Sequence, residues 1–341
     1  MYYTKTPAFA DFLKLMSIQS TIENVNAEKY ANSVLPLPSL PEQMAIVRYL
    51  DHADRKVRHA IRVRQQLIKL LTEQKQAIIQ RAVTRGLDPN VRLKPSGVPW
   101  LGDVPEHWSV RRFKTLVRNA VDLTTSRKKS DLYIALEQVE SWSSRYIEAA
   151  PGVVFEGNVK RFSAGDVLFS KLRPYLAKVI RPSQNGVCVG EFLVLRPSTA
   201  SLDTAYMEQF LRAKSIIDAI SSSTFGAKMP RADWQYIGNM NVAVPPPNEQ
   251  SAIVRFLNNA TASLDKAIDV AHREIDLLRE YRTRLIADVV TGKLDVRNVP
   301  VPSDETDVLP EDVETIDDVD AADQGDDAAE GNSESNTEES A

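Results

Sequence analysis

Apolar residues recur at three- and four-residue steps in two stretches of the chain. The first carries Leu50, Val57, Ile61, Ile68, Leu71, Ile78 and Ala82; the second carries Leu257, Leu264, Ile268, Ala271, Ile275, Leu278, Leu285 and Val289. That spacing puts each set on one stripe of an α-helix and predicts long helices over roughly 42–84 and 249–291. The stripes are narrow. A narrow stripe suits two helices paired along a seam, whereas a helix sunk in a globular core needs a broader apolar face. Polar residues interrupt both seams: Asp54, Arg64 and Lys75 in the first, Thr261 and Arg282 in the second. At 1.5 Å of rise per residue, each helix would run about 65 Å. Between them the period changes. Short alternating runs at 132–136, 152–155, 167–169, 177–180 and 192–195 read as strands, and one helix is expected over 204–221. The predicted class is α+β: a globular domain over 97–247 flanked by two long helices that pair as an antiparallel coiled coil.

The two helical stretches are copies of one another. Sliding the chain by 207 residues lays 35–88 on 242–295 with 21 identities in 54 positions and no gap. Glu42-Gln43 falls on Glu249-Gln250, and LPLPSLPEQMAIVRYL falls on VAVPPPNEQSAIVRFL. Each copy has a short apolar strand (34–37; 241–244), a Pro-rich stop and then the helix, whose acidic entry suits the positive end of the helix dipole. Residues 20–32 occupy the same place before the first helix as 227–239 do before the second. Residues 1–40 therefore read as the end of another domain like 97–247, whose front is absent. The expected order is this remnant (1–40), a first long helix (41–90), a complete domain (97–247), a second long helix (248–297) and a tail (298–341).

Charge changes the picture. The net charge of −4 hides an asymmetry, because 303–341 holds 16 Asp and Glu and no Lys or Arg. Removing them leaves 42 basic against 30 acidic residues in 1–302, about +12. The tail has almost no aliphatic run and is expected to be disordered. The body is basic, as a protein facing a polyanion would be. Cys188 is the single cysteine, so no intramolecular disulfide is possible and a reducing cytoplasm is the expected compartment. No apolar stretch reaches the length of a membrane span, so no membrane partner is expected.

Candidate catalytic chemistry is sparse. The chain has neither of the glycine-rich patterns that let backbone amides approach phosphate. His52, His59, His107 and His272 lack metal-pair spacing, and no metal site is expected. Asp166, Lys171 and Glu191 lack the tight acidic pair of a metal-dependent nuclease. Basic residues, in contrast, gather in loops: Arg111, Arg112 and Lys114; Arg127, Lys128 and Lys129; Lys160 and Arg161; Lys171, Arg173 and Lys178 with Tyr175; Lys228 and Arg231. Cations at turns can meet phosphates or guanine edges. Any one cluster alone is more often a solvated surface; five in one basic body favour double-stranded DNA.

Several ordered segments resemble a known family. GVPWLGDVPEHWSVRRFK (97–114) looks like the entry to a target-recognition domain of type I restriction-modification specificity subunits. FSAGDVLFSKLRPYLAKV (162–179), CVGEFLVLRP (188–197) and STFGAKMPRADW (223–234) resemble its internal landmarks, and the two Glu-Gln segments resemble the lead into the family's two helices. The resemblance covers about 1–297 and implies a non-catalytic subunit, here shortened at its N-terminus. Such a subunit reads DNA and directs adenine methylation by partner methyltransferase subunits, which bind S-adenosylmethionine; this chain itself would hold no cofactor. A motor-nuclease restriction subunit is a further possible partner. The expected DNA contacts are Lys171, Arg173, Tyr175, Lys228 and Arg231, then Arg127, Lys128, Lys129, Lys160 and Arg161. The expected helix seam is Leu50, Val57, Ile61, Ile68 and Leu71 against Leu257, Leu264, Ile268, Ile275 and Leu278. A family member reads two half-sites with two domains. One domain predicts either a homodimer through the long helices or a truncated scaffold or decoy that holds the methyltransferase without reading DNA.

Overall fold

A computed structural model describes residues 2–16, 30–31, 36–126, 128, 130–148, 158–226 and 228–301. The acidic tail beyond 301, the strand expected at 152–155, the first half of the expected strand at 34–37, and Arg127 and Lys129 lie outside the described residues. The chain divides into two units, one holding residues up to Gln66 and from Arg273 onward, the other Leu67–His272. Each contains part of both long helices.

The first unit holds α1 (Pro7–Met16), the front of α2 (Leu40–Arg85) and the end of α6 (Pro247–Val290). Leu50, Leu285, Ile286, Val289 and Val296 form its core, with Ile46, Tyr49, Ala53 and Tyr2 against them. The polar interruptions of the seam are paired here. Arg282 Nε lies 2.5 Å from Asp54 Oδ1, and Arg64 Nε lies 2.8 Å from Glu274 Oε2. Tyr2 donates its hydroxyl to Asp51 at 2.5 Å, and burial followed by that carboxylate pushes its pKa up to about 12.

The second unit is the mixed domain together with the rest of both helices. Its strands are β1 (Leu93–Pro95), β2 (Asp103–Pro105), β3 (Ser109–Arg112), β4 (Val117–Asn119), β5 (Leu123–Thr124), β6 (Leu132–Ile134), β7 (Val159–Phe162), β8 (Val167–Ser170), β9 (Val179–Ile180), β10 (Gly186–Val189), β11 (Phe192–Pro197) and β12 (Asn241–Val244). They form two four-stranded sheets, ordered β5-β7-β10-β6 and β4-β11-β8-β9, and the pairs β1-β2 and β12-β3. Only β6 with β10 runs parallel among these pairings; the others are antiparallel. The first sheet contributes Ile134, Phe162 and Cys188, and the second Leu168, Ile180, Phe192 and Val194, to one buried cluster. Burial pushes the Cys188 thiol up to about 12.

The single helix expected at 204–221 is instead two: α3 (Thr204–Leu211) and α4 (Lys214–Ser222). Asp203 caps α3, accepting from the amides of Ala205 and Tyr206, which satisfies two of the free N–H groups at its start. The break falls at Arg212 and Ala213, where Ala213 turns extended (ψ 135°). The Arg212 guanidinium is buried and donates to the Trp142 carbonyl at 2.8 Å, and Gln80 of α2 accepts from the Ser215 amide at 3.1 Å to start α4. Tertiary contacts here outweigh a continuous helical period. A short α5 (Trp234–Asn239) then leads into β12.

The repeated Glu-Gln proves to be a joint. Gln250 is buried, donating to the carbonyls of Ser201 and Pro245 and accepting from the Asp203 amide, each at 2.8 Å. Glu249 Oε2 meets the Trp108 indole N–H at 3.0 Å and His107 Nε2 at 2.8 Å. Gly86, at φ +74° beyond the end of α2, lies so close that a Cβ there would come within 2.8 Å of Glu249 Oε1. In the first copy Gln43 makes the bond that matches one of these, donating to the Pro38 carbonyl at 2.8 Å, as Gln250 does to Pro245.

Candidate nucleic-acid interface

The strand β8 ends at Ser170, and the chain then leaves the sheet through Lys171–Tyr175. Arg173 takes the left-handed conformation (φ 47°), which an arginine adopts only when its surroundings hold it there. The holding partner is the segment 225–232. The Arg173 amide donates to the Pro230 carbonyl and the Ala232 amide to the Lys171 carbonyl, both at 2.8 Å. Leu172 faces Arg231 across one antiparallel bridge, and Phe225 faces Arg231 across another. Two loops distant in sequence are thus laced together by two bridges that share Arg231. Gly226 turns the second loop at φ +94°; a Cβ there would stand 3.2 Å from the Met229 carbonyl oxygen.

The turn between β10 and β11 completes the site. Glu191 accepts the Lys171 amide on its carbonyl at 2.9 Å and aims its carboxylate at two cations. Arg231 approaches it with Nε at 3.3 Å and a second guanidinium nitrogen at 3.4 Å, and Lys171 Nζ lies 3.9 Å away. Of the residues expected to contact DNA, Lys171, Arg173, Tyr175, Lys228 and Arg231 are brought to this one ledge. Tyr175, Lys228 and Arg231 are exposed; Lys171 and Arg173 are half-buried.

The remaining expected contacts divide. Lys160 is corrected: it is only 9 % exposed, and its ammonium donates to the carbonyls of Gly190 (2.9 Å) and Phe192 (2.8 Å). Burial, and then the nearby Lys171 charge, hold its pKa below the usual lysine range. It braces the β10–β11 turn from behind. Arg161 braces the loop at 124–131, pairing with Asp131 at 3.3 Å and donating to the Ser126 carbonyl at 3.0 Å. Lys128 is exposed on that loop. Arg111, Arg112 and Lys114 are exposed on and after β3. Lys178, in contrast, donates to the Leu136 carbonyl at 2.9 Å.

Two residues of the ledge were not legible as such. Glu191 enters the sequence reading only as a further carboxylate beside Asp166 and Lys171, and Phe225 only as part of the 223–234 landmark. The signal for Glu191 was a Gly-Glu pair between two apolar runs, which marks a tight turn. For Phe225 it was an aromatic next to a glycine with two cations following. Asp166, weighed as a nuclease carboxylate, is buried and bound bidentately by Arg196 at 2.6 and 2.7 Å. Among the described residues, no three His, Cys, Asp or Glu side chains gather as metal ligands would, and no helix is long and apolar enough to cross a membrane.

No known family's profile matches the chain. Among characterised proteins it is similar to the EcoDI specificity subunit of a type I restriction enzyme from Escherichia coli, 22 % identical over 81 % of this chain and 65 % of that protein. It is likewise similar to the MjaVIII type I specificity subunit from Methanocaldococcus jannaschii, 22 % identical over 84 % of this chain and 68 % of that one. The chain thus spans 65 % of the length of the first of these relatives. A solved structure described as the basis of complex assembly and conformational transition in the type I R-M system has the same fold. It superposes with a TM-score of 0.57 over 86 % of this chain and 70 % of its own, at 16 % identity.

Proposed function

We propose that this chain, which belongs with the type I restriction specificity subunits, reads double-stranded DNA through the ledge around Glu191 and carries no catalysis of its own. Its role is to supply the address for adenine methylation, and for restriction, carried out by partner subunits. Those partners are methyltransferase subunits, which bring S-adenosylmethionine, and a motor-nuclease subunit. The observation that carries this reading is the similarity to specificity subunits over 81 % of the chain. The laced loops give the reading a place to act. Arginine and lysine at a rigid turn suit guanine edges and phosphates, the two things a reader must meet.

In this reading α2 and α6 form an antiparallel coiled coil that fixes the distance between half-sites. The ion pairs Asp54–Arg282 and Arg64–Glu274 support it, because the partner number falls as the residue number rises. Residues 1–40, 97–247 and the two helices are then parts of one repeated plan, helix, domain, helix. We further propose that a second copy of the chain pairs through the helices, since the repeat makes the two helix surfaces alike. A closed two-fold pair of readers makes the target a palindrome with a gap. The assembly would work in the cytoplasm.

The test is co-expression with a candidate partner methyltransferase subunit, followed by sequencing of adenine methylation across host DNA. A gapped motif that disappears when Lys171 and Arg231 are both replaced by alanine is the expected result. A palindromic motif supports the paired chain, and a non-palindromic one overturns it. Absence of methylation from a stable complex overturns the reader role.

A further inference from the structure

Phe225 stands out on the ledge because little among the described residues covers it. Its side chain is 78 % exposed, the most exposed aromatic among the described residues that are exposed and apolar. The backbone nonetheless fixes its position. Phe225 and Arg231 exchange both main-chain hydrogen bonds, Phe225 N–H to the Arg231 carbonyl at 3.4 Å and Arg231 N–H to the Phe225 carbonyl at 3.1 Å. Residues paired in this way project their side chains to the same face, with Cβ atoms about 5 Å apart. The ring and the guanidinium therefore leave the ribbon side by side. Gly226 permits the tight turn that follows, and Glu191 holds the guanidinium from below. An exposed phenyl ring held this firmly is costly in water; Arg231, its paired neighbour, and Lys171, which shares Glu191 with Arg231, draw a polyanion to the same ribbon.

In a major groove, an arginine fork and an apolar side chain read different things. The fork pairs with the two acceptors of guanine, and the apolar group packs on the one methyl that the groove presents, the 5-methyl of thymine. Successive base pairs are about 3.4 Å apart along the helix, so side chains about 5 Å apart at their Cβ atoms fall on adjacent pairs. We propose that Phe225 is a specificity-determining residue that reads a thymine methyl group in the base pair beside the one met by Arg231. This rests on the DNA-reading role proposed above and names what one part of that site reads.

The full chain is used to select duplexes from a randomised library, and the selected motif is then remade with each thymine in turn replaced by deoxyuridine, which removes only the methyl. One such replacement is expected to weaken binding of the parent chain about fourfold, the change that loss of one buried methyl gives. The Phe225→Ala chain is expected to bind the parent duplex at least that much more weakly and to be indifferent to that same replacement. Its thermal midpoint should stay close to the parent's, since the ring is 78 % exposed. The proposal is overturned if the selected motif contains no thymine, or if no deoxyuridine replacement matters. It is also overturned if Phe225→Ala weakens all duplexes alike while keeping the parent's response to deoxyuridine, the behaviour of a ring wedged between base steps. In those three cases the reader role stands, because a motif has been selected. A parent chain that selects no motif overturns the reader role and this assignment together.

Discussion

Lys75 Nζ lies 2.5 Å from Asp265 Oδ1, joining α2 to α6, with the lysine 7 % exposed and the aspartate 37 %. The two partners are not equivalent. The ammonium has lost its water, and burial holds its pKa below the usual lysine range; Asp265 opposes that shift by accepting a hydrogen bond from it, while the nearby Arg212 adds to it. Removing the aspartate leaves a buried charge without its partner, whereas removing the lysine leaves a carboxylate that water can reach. Asp265→Ala is therefore expected to destabilise the protein by about 2 kcal/mol, below the range for a wholly buried pair because Asp265 is partly hydrated. Lys75→Met should fall within about 1 kcal/mol of the parent or exceed it. Denaturant unfolding of both chains checks the order; equal losses would mean that the pair acts as a surface ion pair.

The same asymmetry has a pH signature. Lys75 in the folded protein has a lowered pKa relative to 10.5, so between the folded value and 10.5 the unfolded chain binds more protons and stability rises with pH. Without Asp265 the folded pKa falls further and the penalty of the buried ammonium is greatest at low pH. The deficit of Asp265→Ala relative to the parent should therefore be full near neutrality and shrink as the pH climbs toward 10.5. Paired melting curves across that range measure it. A deficit that is flat with pH would show that Lys75 does not titrate within the window.

Lys160 offers a test that separates bracing from contact. Its ammonium is bound by two carbonyls of the turn that carries Glu191. Lys160→Met leaves both carbonyls without this donor and should cost about 1–3 kcal/mol, the usual penalty for unsatisfied buried groups. Its effect on DNA affinity should follow from displacement of Glu191, with the salt dependence of binding unchanged, because no phosphate contact has been lost. A chain as stable as the parent whose salt slope is shallower would restore Lys160 to the contact set.

The parts of this fold that were readable from sequence are those set by local period. Of the residues expected on the two helix stripes, Leu50, Val57, Leu257 and Ile275 are buried, and Ile61, Ile68, Leu71, Leu264, Ile268 and Leu278 are half-buried. The helices observed at Leu40–Arg85 and Pro247–Val290 lie within two residues of their expected bounds. Misreadings arose where a long-range partner decides the outcome. The helix expected at 204–221 is broken because Arg212 is drawn to the Trp142 carbonyl, 70 residues away in sequence. Lys160 looked like a surface cation because the carbonyls that bury it lie about 30 residues on. Five basic clusters could be listed from the sequence, but only the bridges of Arg231 to Leu172 and Phe225 choose which of them share a face.

Glu191 sets the last prediction. A carboxylate amid the cations of a DNA-facing ledge lowers attraction for any phosphate backbone, so its presence weakens sequence-independent binding. What it supplies in return is geometry: it receives the Arg231 guanidinium at 3.3 and 3.4 Å and leaves the fork less freedom to seek phosphates. Glu191→Gln keeps the size and removes the charge. The variant should bind unrelated duplex several-fold more tightly at low salt, with a steeper dependence on salt, because Lys171 and Arg231 are released toward phosphates. Its preference for the selected motif over unrelated DNA should fall, since an untethered arginine loses the fixed fork that distinguishes guanine. Salt titrations with the two duplexes measure both quantities. Tighter binding with undiminished preference would mean that Glu191 only tempers charge; weaker binding to both would mean that the carboxylate itself meets the DNA, as an acceptor for a cytosine amino group.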